Sequence, residues 1–363
     1  MKLTIERAAL LKSLTHVQSV VERRNTIPIL SNILLRAEND QLSLTATDMD
    51  LEVIETTTAE VSEAGATTTP AHTLYEIVRK LPEGSQVQIA LEPGAGRLTL
   101  SAGRSKFNLA VLPVDDFPVM SGGELPVSFG LAAAELRGLI DRAEFAISTE
   151  ETRYYLNGIY FHATDAEGTK ILRAVATDGH RLARVEAPLP DGAENMPGVI
   201  VPRKTVGELR KLIEETGEAV DIALSDTKIR FGFGKAVLTS KLIDGTFPDY
   251  ERVIPSGNDK TLDIECKAFA DAVDRVSAIS IEKSRAVKVV MSGNTLTLSA
   301  SSPEHGTASE ELEINFNSRY LLDIAKQVKG DTLNLLMSDG SSPTILRDTD
   351  DLSALYVLMP MRV

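Results

Sequence analysis

A short helical segment occurs three times in this chain of 363 residues. The copies span residues 70–81, 202–213 and 317–328, and apolar residues coincide at the same three positions of each copy. Their spacing places them on one face of an α-helix. The matched apolar residues are Leu74, Val206 and Leu321, then Ile77, Leu209 and Ile324, then Leu81, Ile213 and Val328. The repetition predicts three units of similar architecture.

A second face of the same helices carries basic groups. Residues seven apart lie nearly above one another on a helix. The two matched basic sets are His72, Lys204 and Arg319, and Arg79, Lys211 and Lys326, with Glu76, Glu208 or Asp323 between them. A charged stripe is ordinarily a solvated face, but three copies with one layout argue against that interpretation.

Other segments repeat in the same register as the helices. The strand-like segment at 87–91 matches that at 220–224, and Phe117-Pro118 matches Phe247-Pro248. Each unit is predicted to run helix, strands, helix, strands, which is an α+β fold with helices on one face of mostly antiparallel sheets. We expect three similar domains of ordinary size, at residues 1–125, 126–256 and 257–363.

The overall charge and the cysteine usage narrow the function classes. The formal net charge is −14, which argues against a protein that simply adheres to nucleic acid unless its positive charge is concentrated on one surface. Cys266 is the single cysteine, so neither an intramolecular disulfide nor a cysteine zinc site is possible, and a reducing cytoplasm is expected. We expect no secretory leader and no membrane span, because no apolar run approaches about 18 residues.

Enzyme signatures are sparse. The sequence has no phosphate-binding loop, complete dinucleotide turn, paired metal-binding histidines or nucleophile elbow, so we expect no cofactor and no metal. Asp178 and His180 leave open an α+β hydrolase. We favour a turn that presents His180 and Arg181, because Thr47-Asp48 occupies the matching place in the first unit. The sequence therefore predicts a protein without catalytic activity.

The last residues, 356–363, are apolar and contain two methionines. One interpretation is a final strand docked into a sheet. The other is an adaptable surface that binds several partners, since methionine side chains are flexible and polarizable. Both interpretations stay open from these residues alone.

Six motifs, taken in order, resemble the bacterial β sliding clamps, which are the processivity subunits of DNA polymerase III. They are TIPIL at 26–30, RYYLNG at 153–158, ATDGHRLA at 176–183, VPRK at 201–204, FPDY at 247–250 and MPMR at 359–362. The resemblance covers the whole chain. It implies a head-to-tail homodimeric ring that encircles double-stranded DNA without reading its sequence and tethers polymerases to it.

Helix dimensions show why such a ring needs two chains. With about 9 Å between neighbouring axes, six helices give a circle only about 17 Å across. Twelve helices give about 34 Å, which leaves about 24 Å after subtracting a helix thickness of about 10 Å. That opening accepts a duplex roughly 20 Å wide. A monomeric adaptor that binds peptides but no DNA is the alternative that a solution mass distinguishes.

The resemblance also assigns site residues. DNA contacts are expected at Arg24, Arg203 and Lys204, together with the stripe residues His72, Arg79 and Lys211. A pocket for partner peptides is expected at Leu156, Thr177, Gly179, His180, Arg181, Leu182, Pro248, Arg252, Val253, Val357, Leu358, Met359, Pro360, Met361 and Arg362. Ring closure is expected to join Arg104, Lys106, Phe107 and Leu109 of one chain to Ala278, Ile279 and Glu304 of the other.

The implied partners follow from the same resemblance. They are the alpha subunit of the replicative DNA polymerase III, the delta subunit of the clamp loader, translesion polymerases, and mismatch-repair or ligase proteins. Each is expected to insert leucine or phenylalanine side chains of a short peptide into the pocket.

Overall fold

The computed structural model of the chain describes residues 1–91, 94, 96–120, 122–214, 219–279, 286–292, 295–302, 306–311 and 314–361. Within these ranges the helices are α1 (Arg7–Gln18), α2 (Ala71–Lys80), α3 (Ala133–Ala143), α4 (Arg203–Glu214), α5 (Cys266–Ser277) and α6 (Ser318–Ala325). The three repeated segments thus form α2, α4 and α6, as the periodicity predicts, but α6 ends at Ala325, so Lys326 and Val328 lie beyond the third helix. Their first matched apolar residues, Leu74, Val206 and Leu321, are buried because the apolar face packs into the core.

The strands follow the predicted alternation with the helices. In the first repeat they are β1 (Lys2–Glu6), β2 (Asn32–Glu38), β3 (Gln41–Thr47), β4 (Leu51–Thr58), β5 (Glu60–Glu63), β6 (Gly65–Pro70), β7 (Gln86–Leu91), β8 (Arg97–Ala102) and β9 (Ser105–Ala110). In the second they are β10 (Val127–Ala132), β11 (Gly158–Ala166), β12 (Thr169–Thr177), β13 (Arg181–Pro188), β14 (Val199–Pro202), β15 (Ala219–Leu224), β16 (Lys228–Phe233) and β17 (Ala236–Lys241). In the third they are β18 (Lys260–Glu265), β19 (Ala286–Ser292), β20 (Thr295–Ser302), β21 (Gly306–Glu311), β22 (Ile314–Asn317), β23 (Thr332–Met337), β24 (Thr344–Asp348) and β25 (Ala354–Leu358).

The chain divides into two compact units, and the middle repeat contributes to both. The first unit comprises Met1–Ala134, Pro190–Met196 and Lys204–Leu242. One of its sheets has the order β5-β1-β7-β8-β9, and the other has the order β10-β15-β16-β17-β4-β3-β2-β6. In the second of these sheets β17 of the middle repeat pairs with β4 of the first, from Ser240 opposite Leu51 to Ala236 opposite Glu55. We call this pair, with the turn at 47–51, the first strand junction.

The second compact unit comprises Glu135–Leu189, Pro197–Arg203 and Ile243–Val363. Its sheets have the orders β14-β11-β12-β13-β25-β24-β23-β18 and β21-β20-β19-β22. Here β13 of the middle repeat pairs with β25 of the third, from Arg181 opposite Leu358 to Val185 opposite Ala354. We call this pair, with the turn at 177–181, the second strand junction.

These pairings are antiparallel, as predicted, but the sequence did not predict that sheets continue from one repeat into the next. The apolar segment near the C-terminus is a docked strand over Ala354–Leu358, where all five residues are buried. It ends before Met359, so residues 359–361 lie beyond the strand. The longest helices in the described ranges have 12 residues, below the ~20 that a helical membrane span requires.

Candidate functional site

A cavity of about 300 Å³ opens at the second strand junction. Nine of the residues predicted for the peptide pocket line it: Leu156, Thr177, Gly179, Arg181, Leu182, Pro248, Val253, Val357 and Met359. Apolar side chains and a few polar groups therefore converge there, which is the composition expected of a binding pocket. The structure brings together residues from four separate segments, at 153–156, 177–182, 248–253 and 357–359.

Several predicted pocket residues lie beside the cavity instead of lining it. Successive strand residues point to opposite faces, so Leu358 is fully buried on the face away from Val357. The His180 ring stacks near Tyr320, with 6.3 Å between ring centroids. Arg252 is 84% exposed and its Nε lies 2.7 Å from Asp249 Oδ2. Pro360 and Met361 are half-buried after the end of β25, and Arg362 is outside the described residues.

Sequence reasoning missed four lining residues, Arg153, Tyr155, Asp249 and Tyr250. All four lie inside the RYYLNG and FPDY motifs that carry the family resemblance. They also lie within three residues of Leu156 or Pro248 in the chain. The two motifs therefore contain lining residues beyond those predicted for the pocket.

The turn at 177–181 is fixed by its own side chains. Asp178 Oδ1 accepts hydrogen bonds from the backbone N–H groups of His180, at 2.9 Å, and Arg181, at 3.0 Å. Gly179 has φ +88°, a left-handed conformation that favours glycine. A Cβ atom at this position would lie 2.5 Å from Nη1 of Arg153. Glycine therefore lets the Arg153 side chain lie directly over the turn at the edge of the cavity.

Asp178 and His180 do not form a catalytic pair. The second carboxylate oxygen of Asp178 accepts a hydrogen bond from Nε of Arg181 at 3.2 Å. Both oxygens of Asp178 thus bind residues of its own turn, and the His180 ring stacks near Tyr320. The arrangement is that of an Asx turn, as the preferred interpretation predicted.

Arg181 links two elements of the fold as well as lining the cavity. Its Nη1 lies 2.7 Å from Asp323 Oδ2, and its Nη2 donates to the carbonyl of Phe145 at 2.6 Å. The guanidinium carbon lies 4.2 Å from the ring centroid of Tyr320, a cation–π contact. These contacts join β13 to α6 and hold one side of the cavity in place.

A polar network supports the opposite wall. The hydroxyl of Tyr250 accepts a hydrogen bond from Arg173 Nη1 at 3.1 Å and lies 2.9 Å from His162 Nε2. Burial lowers the pKa of His162, which favours the neutral ring, and the neutral ring can accept a hydrogen bond from the Tyr250 hydroxyl. Arg173 Nε in turn donates to Glu186 at 2.8 Å. The hydroxyl of Tyr250 is therefore anchored by both Arg173 and His162.

The predicted DNA-contacting residues differ in their exposure and in their hydrogen-bond partners. Arg24 and Arg203 are exposed. His72 is half-buried, and its ring nitrogens lie 3.0 Å from Gln18 Oε1 and 2.9 Å from the Val21 carbonyl.

Three of the predicted cations are paired with acids. Arg79 donates to Glu76 at 2.7 Å, and Lys211 donates to Glu208 at 2.8 Å. Lys204 contacts Asp48 and also Glu22, the latter at 3.3 Å. Burial alone would lower the pKa of Lys204, but the hydrogen bonds and charges of Asp48 and Glu22 raise it. A polyanion must compete with these acids for the cations.

The residues predicted for ring closure include an exposed sheet edge. Lys106, Phe107 and Leu109 belong to β9, which ends its sheet, and Arg104 precedes the strand. Such an edge presents unpaired backbone groups that can bind another strand. Phe107 also lines a groove of about 550 Å³ with Ile77 and Leu81. Ala278 and Ile279 follow α5, and Glu304 is outside the described residues.

Models of the three domains of the DNA polymerase III beta subunit match the chain in order. The N-terminal domain matches residues 1–121, the central domain residues 130–249, and the C-terminal domain residues 251–362. A beta sliding clamp of Caulobacter vibrioides (strain NA1000 / CB15N) is 56% identical over 372 residues, covering 100% of both chains. That of Escherichia coli (strain K12) is 38% identical over 375 residues with the same coverage.

Solved structures agree with the sequence comparisons. A crystal structure of the C. crescentus beta sliding clamp matches with a TM-score of 0.98 at 56% identity, covering 100% of this chain and 99% of that one. A Bartonella birtlesii sliding clamp bound to griselimycin matches with a TM-score of 0.97 at 50% identity, covering 100% of both chains.

These matches confirm three predictions made from the sequence. The fold consists of three clamp domains, and the chain is a DNA sliding clamp of the replication machinery. Since the family is non-catalytic, the prediction of no enzymatic activity is confirmed and the hydrolase alternative is set aside. The chain belongs to the family of DNA polymerase III beta subunits, the β sliding clamps.

Proposed function

We propose that two copies of this chain join head to tail into a ring that encircles double-stranded DNA and holds the replicative polymerase on it. The observation that supports this most is the match of all three repeats, in order, to the three clamp domains. We place the domain boundaries near residues 125 and 256, in the connections between repeats. A replication clamp of bacterial type would act in the cytoplasm.

DNA is held inside the ring mainly by topology and only weakly by charge. The exposed Arg24 and Arg203 would meet phosphates directly, whereas Arg79, Lys204 and Lys211 must first leave their acidic partners. Phosphate contacts carry no sequence information, so binding is sequence-independent. Weak attraction permits sliding, because each step along the duplex breaks few strong contacts.

The ring closes by pairing the β9 edge with the region of Ala278, Ile279 and Glu304 in the partner. Phe107 would fill an apolar site at that contact, since it is half-buried beside an open groove. Light scattering tests this closure at micromolar concentration. We expect a mass near 79 kDa, twice the 39.3 kDa of one chain.

Two variants of β9 sharpen that test. Phe107→Glu should shift the mass toward one chain, because it places a charge in the apolar contact. Asn108→Glu should keep the dimer, because the neighbouring residue of a strand points to the other face. A wild-type mass of 39 kDa would contradict ring formation.

The cavity at the second strand junction binds short apolar peptides of the partners. These partners are the alpha subunit of DNA polymerase III, the delta subunit of the clamp loader, translesion polymerases, and mismatch-repair or ligase proteins. The cavity volume of about 300 Å³ suits one or two large apolar side chains. The related Bartonella birtlesii clamp has been solved with bound griselimycin, which supports ligand binding by clamps of this fold.

Primer extension on a primed single-stranded circle tests the whole function. With the polymerase and clamp loader present, the chain should lengthen the products of a single binding event many-fold. Excess free peptide carrying leucine and phenylalanine should shorten them again by filling the cavity. Product lengths that do not depend on the chain would contradict the proposal.

A further inference from the structure

The two strand junctions are built on the same backbone frame. At the first, the N–H of Lys241 donates to the carbonyl of Asp50 at 2.8 Å; at the second, the N–H of Met359 donates to the carbonyl of His180 at 2.9 Å. The other ends of the strand pairs correspond as well. The N–H of Thr56 donates to the carbonyl of Lys235 at 3.0 Å, and the N–H of Glu186 donates to the carbonyl of Ser353 at 2.8 Å. The register of the two strand pairs is therefore the same.

The turns that enter the junctions also correspond bond for bond. Asp48 Oδ1 accepts the N–H groups of Asp50, at 2.9 Å, and Leu51, at 2.7 Å. Asp178 accepts the equivalent pair at 2.9 and 3.0 Å. The residue between is Met49, with φ +78°, in one turn and Gly179, with φ +88°, in the other. The backbone arrangement beside the cavity is therefore present twice in the chain, once at each strand junction.

The side chains at the matched lining positions differ in polarity. Leu182 lies opposite Val357 at the second junction, where both line the cavity. At the first junction these positions are Glu52 and Thr239, which are likewise opposite each other. Met359, the next lining residue, is matched by Lys241, whose Nζ lies 2.9 Å from Asp50 Oδ1. The apolar surface that would bind leucine or phenylalanine is absent from these positions.

Glu52 is also buried, and its carboxylate binds a segment that packs beside its strand. It is 6% exposed, and its Oε2 accepts the N–H of Met120 at 3.1 Å. Met120 belongs to the segment that begins at Phe117-Pro118, the counterpart of Phe247-Pro248 beside the peptide cavity. The carboxylate of Glu52 therefore links the segment at 117–120 to β4. An apolar peptide side chain entering there would have to break this bond and desolvate a carboxylate.

We propose that Glu52, assisted by Lys241, excludes partner peptides from the first strand junction, so that each chain carries a single peptide site. Apolar residues at these two positions should open a second site on the existing frame. The inference rests on the proposed binding of apolar peptides at the second junction.

Isothermal titration calorimetry of the full-length protein counts the sites. The probe is an acetylated hexapeptide with two leucines and one phenylalanine. We expect one peptide per chain for the wild type and for Lys241→Met, and two per chain for Glu52→Leu/Lys241→Met. Adding Leu182→Glu to that double variant should return the count to one, with the remaining peptide at the first junction.

The outcomes separate this inference from the proposed function. Two peptides per wild-type chain, or one per chain for a double variant whose circular dichroism and Tm show that it is folded, overturns the role of Glu52. No binding to the wild type overturns the peptide cavity and this inference with it.

Reciprocal variants at the second junction test the inference if the double variant does not fold. Leu182→Ala leaves a gap and should weaken binding about tenfold. Leu182→Glu should abolish measurable binding, because a glutamate there can bind the segment at 247–250 as Glu52 binds the segment at 117–120. Equal affinities of the two variants would overturn the inference.

Discussion

The guanidinium of Arg181 and the carboxylate of Asp323 lie 2.7 Å apart and link the turn of the second strand junction to α6. The corresponding link at the first junction exchanges the charges, because Asp48 lies in the turn and Lys204 lies on α4. Both links join a strand junction to a repeated helix. Two of the repeated helices, α4 and α6, are therefore fixed to the sheets by ion pairs as well as by their apolar faces.

Removing the Asp323 charge should destabilise the second compact unit. The Arg181 side chain is 9% exposed and that of Asp323 is 21% exposed, so Asp323→Ala leaves a largely buried cation with one partner fewer. We expect a loss of about 3 kcal/mol, measured by thermal or urea unfolding. Arg252→Ala is the control, because an exposed pair contributes less than about 1 kcal/mol. Equal effects of both variants would contradict the structural role of Arg181.

Gly179→Ala should weaken peptide binding. A Cβ atom would lie 2.5 Å from Arg153 Nη1 and displace a side chain that lines the cavity. Gly168→Ala is a matched control, because Gly168 has φ +86° with no atom within 4 Å of its Cβ position. Both variants should lose about 1–2 kcal/mol of stability from the left-handed backbone. Only Gly179→Ala should lose peptide affinity, by about tenfold, in the calorimetric titration.

Glu52→Gln should change the pH dependence of stability. Burial raises the pKa of Glu52 from 4.5, against the Met120 N–H group and the Lys228 charge, which lower it. A carboxyl group whose pKa is raised in the folded state stabilises the fold below pH 4.5. This contribution is lost as pH rises through the pKa of the folded state. Glutamine keeps an oxygen for the Met120 N–H. The variant should therefore be more stable than the wild type at pH 7, with the difference shrinking toward pH 4.

Glu76→Gln is the control of opposite sign. The hydrogen bond and charge of Arg79 lower the pKa of Glu76, so this carboxylate stabilises the fold above pH 4.5. The variant should be slightly less stable at pH 7, and the difference should vanish as pH falls through the lowered pKa. Parallel pH profiles of Tm for the two variants would contradict the assignment of Glu52 as a buried carboxylate.

Asp48→Asn should strengthen DNA binding. Asparagine keeps an oxygen for the Asp50 and Leu51 N–H groups but removes the charge that holds Lys204. We expect tighter binding of a short linear duplex at low salt and a salt dependence steeper by about one phosphate contact. Fluorescence anisotropy over a salt series measures both quantities.

Arg24→Ala should act in the opposite direction, with a salt slope lower by about 1. Asp339→Asn controls for the change of net charge, because Asp339 caps an exposed turn through Ser341 and Ser342. If Asp48→Asn and Asp339→Asn bind DNA equally well, Lys204 is not held back by Asp48.

The sequence predicted the helices well because their apolar residues repeat with a period close to 3.6. It predicted most lining residues of the cavity through motifs, since those residues cluster in short segments. It did not predict the continuous sheets, because strand pairing joins residues far apart in the chain, such as Ser240 and Leu51. The ion pair of Lys204 with Glu22 was not predicted for the same reason, since Glu22 is 182 residues away in the chain.

The most direct test of the clamp is its retention on circular DNA. The protein is loaded onto a nicked circular duplex by the clamp loader, and gel filtration separates bound from free protein before and after the circle is cut once. A closed ring should remain on the intact circle and be released by sliding off the ends of the linear form. Equal retention on the circular and the linear DNA would contradict topological binding.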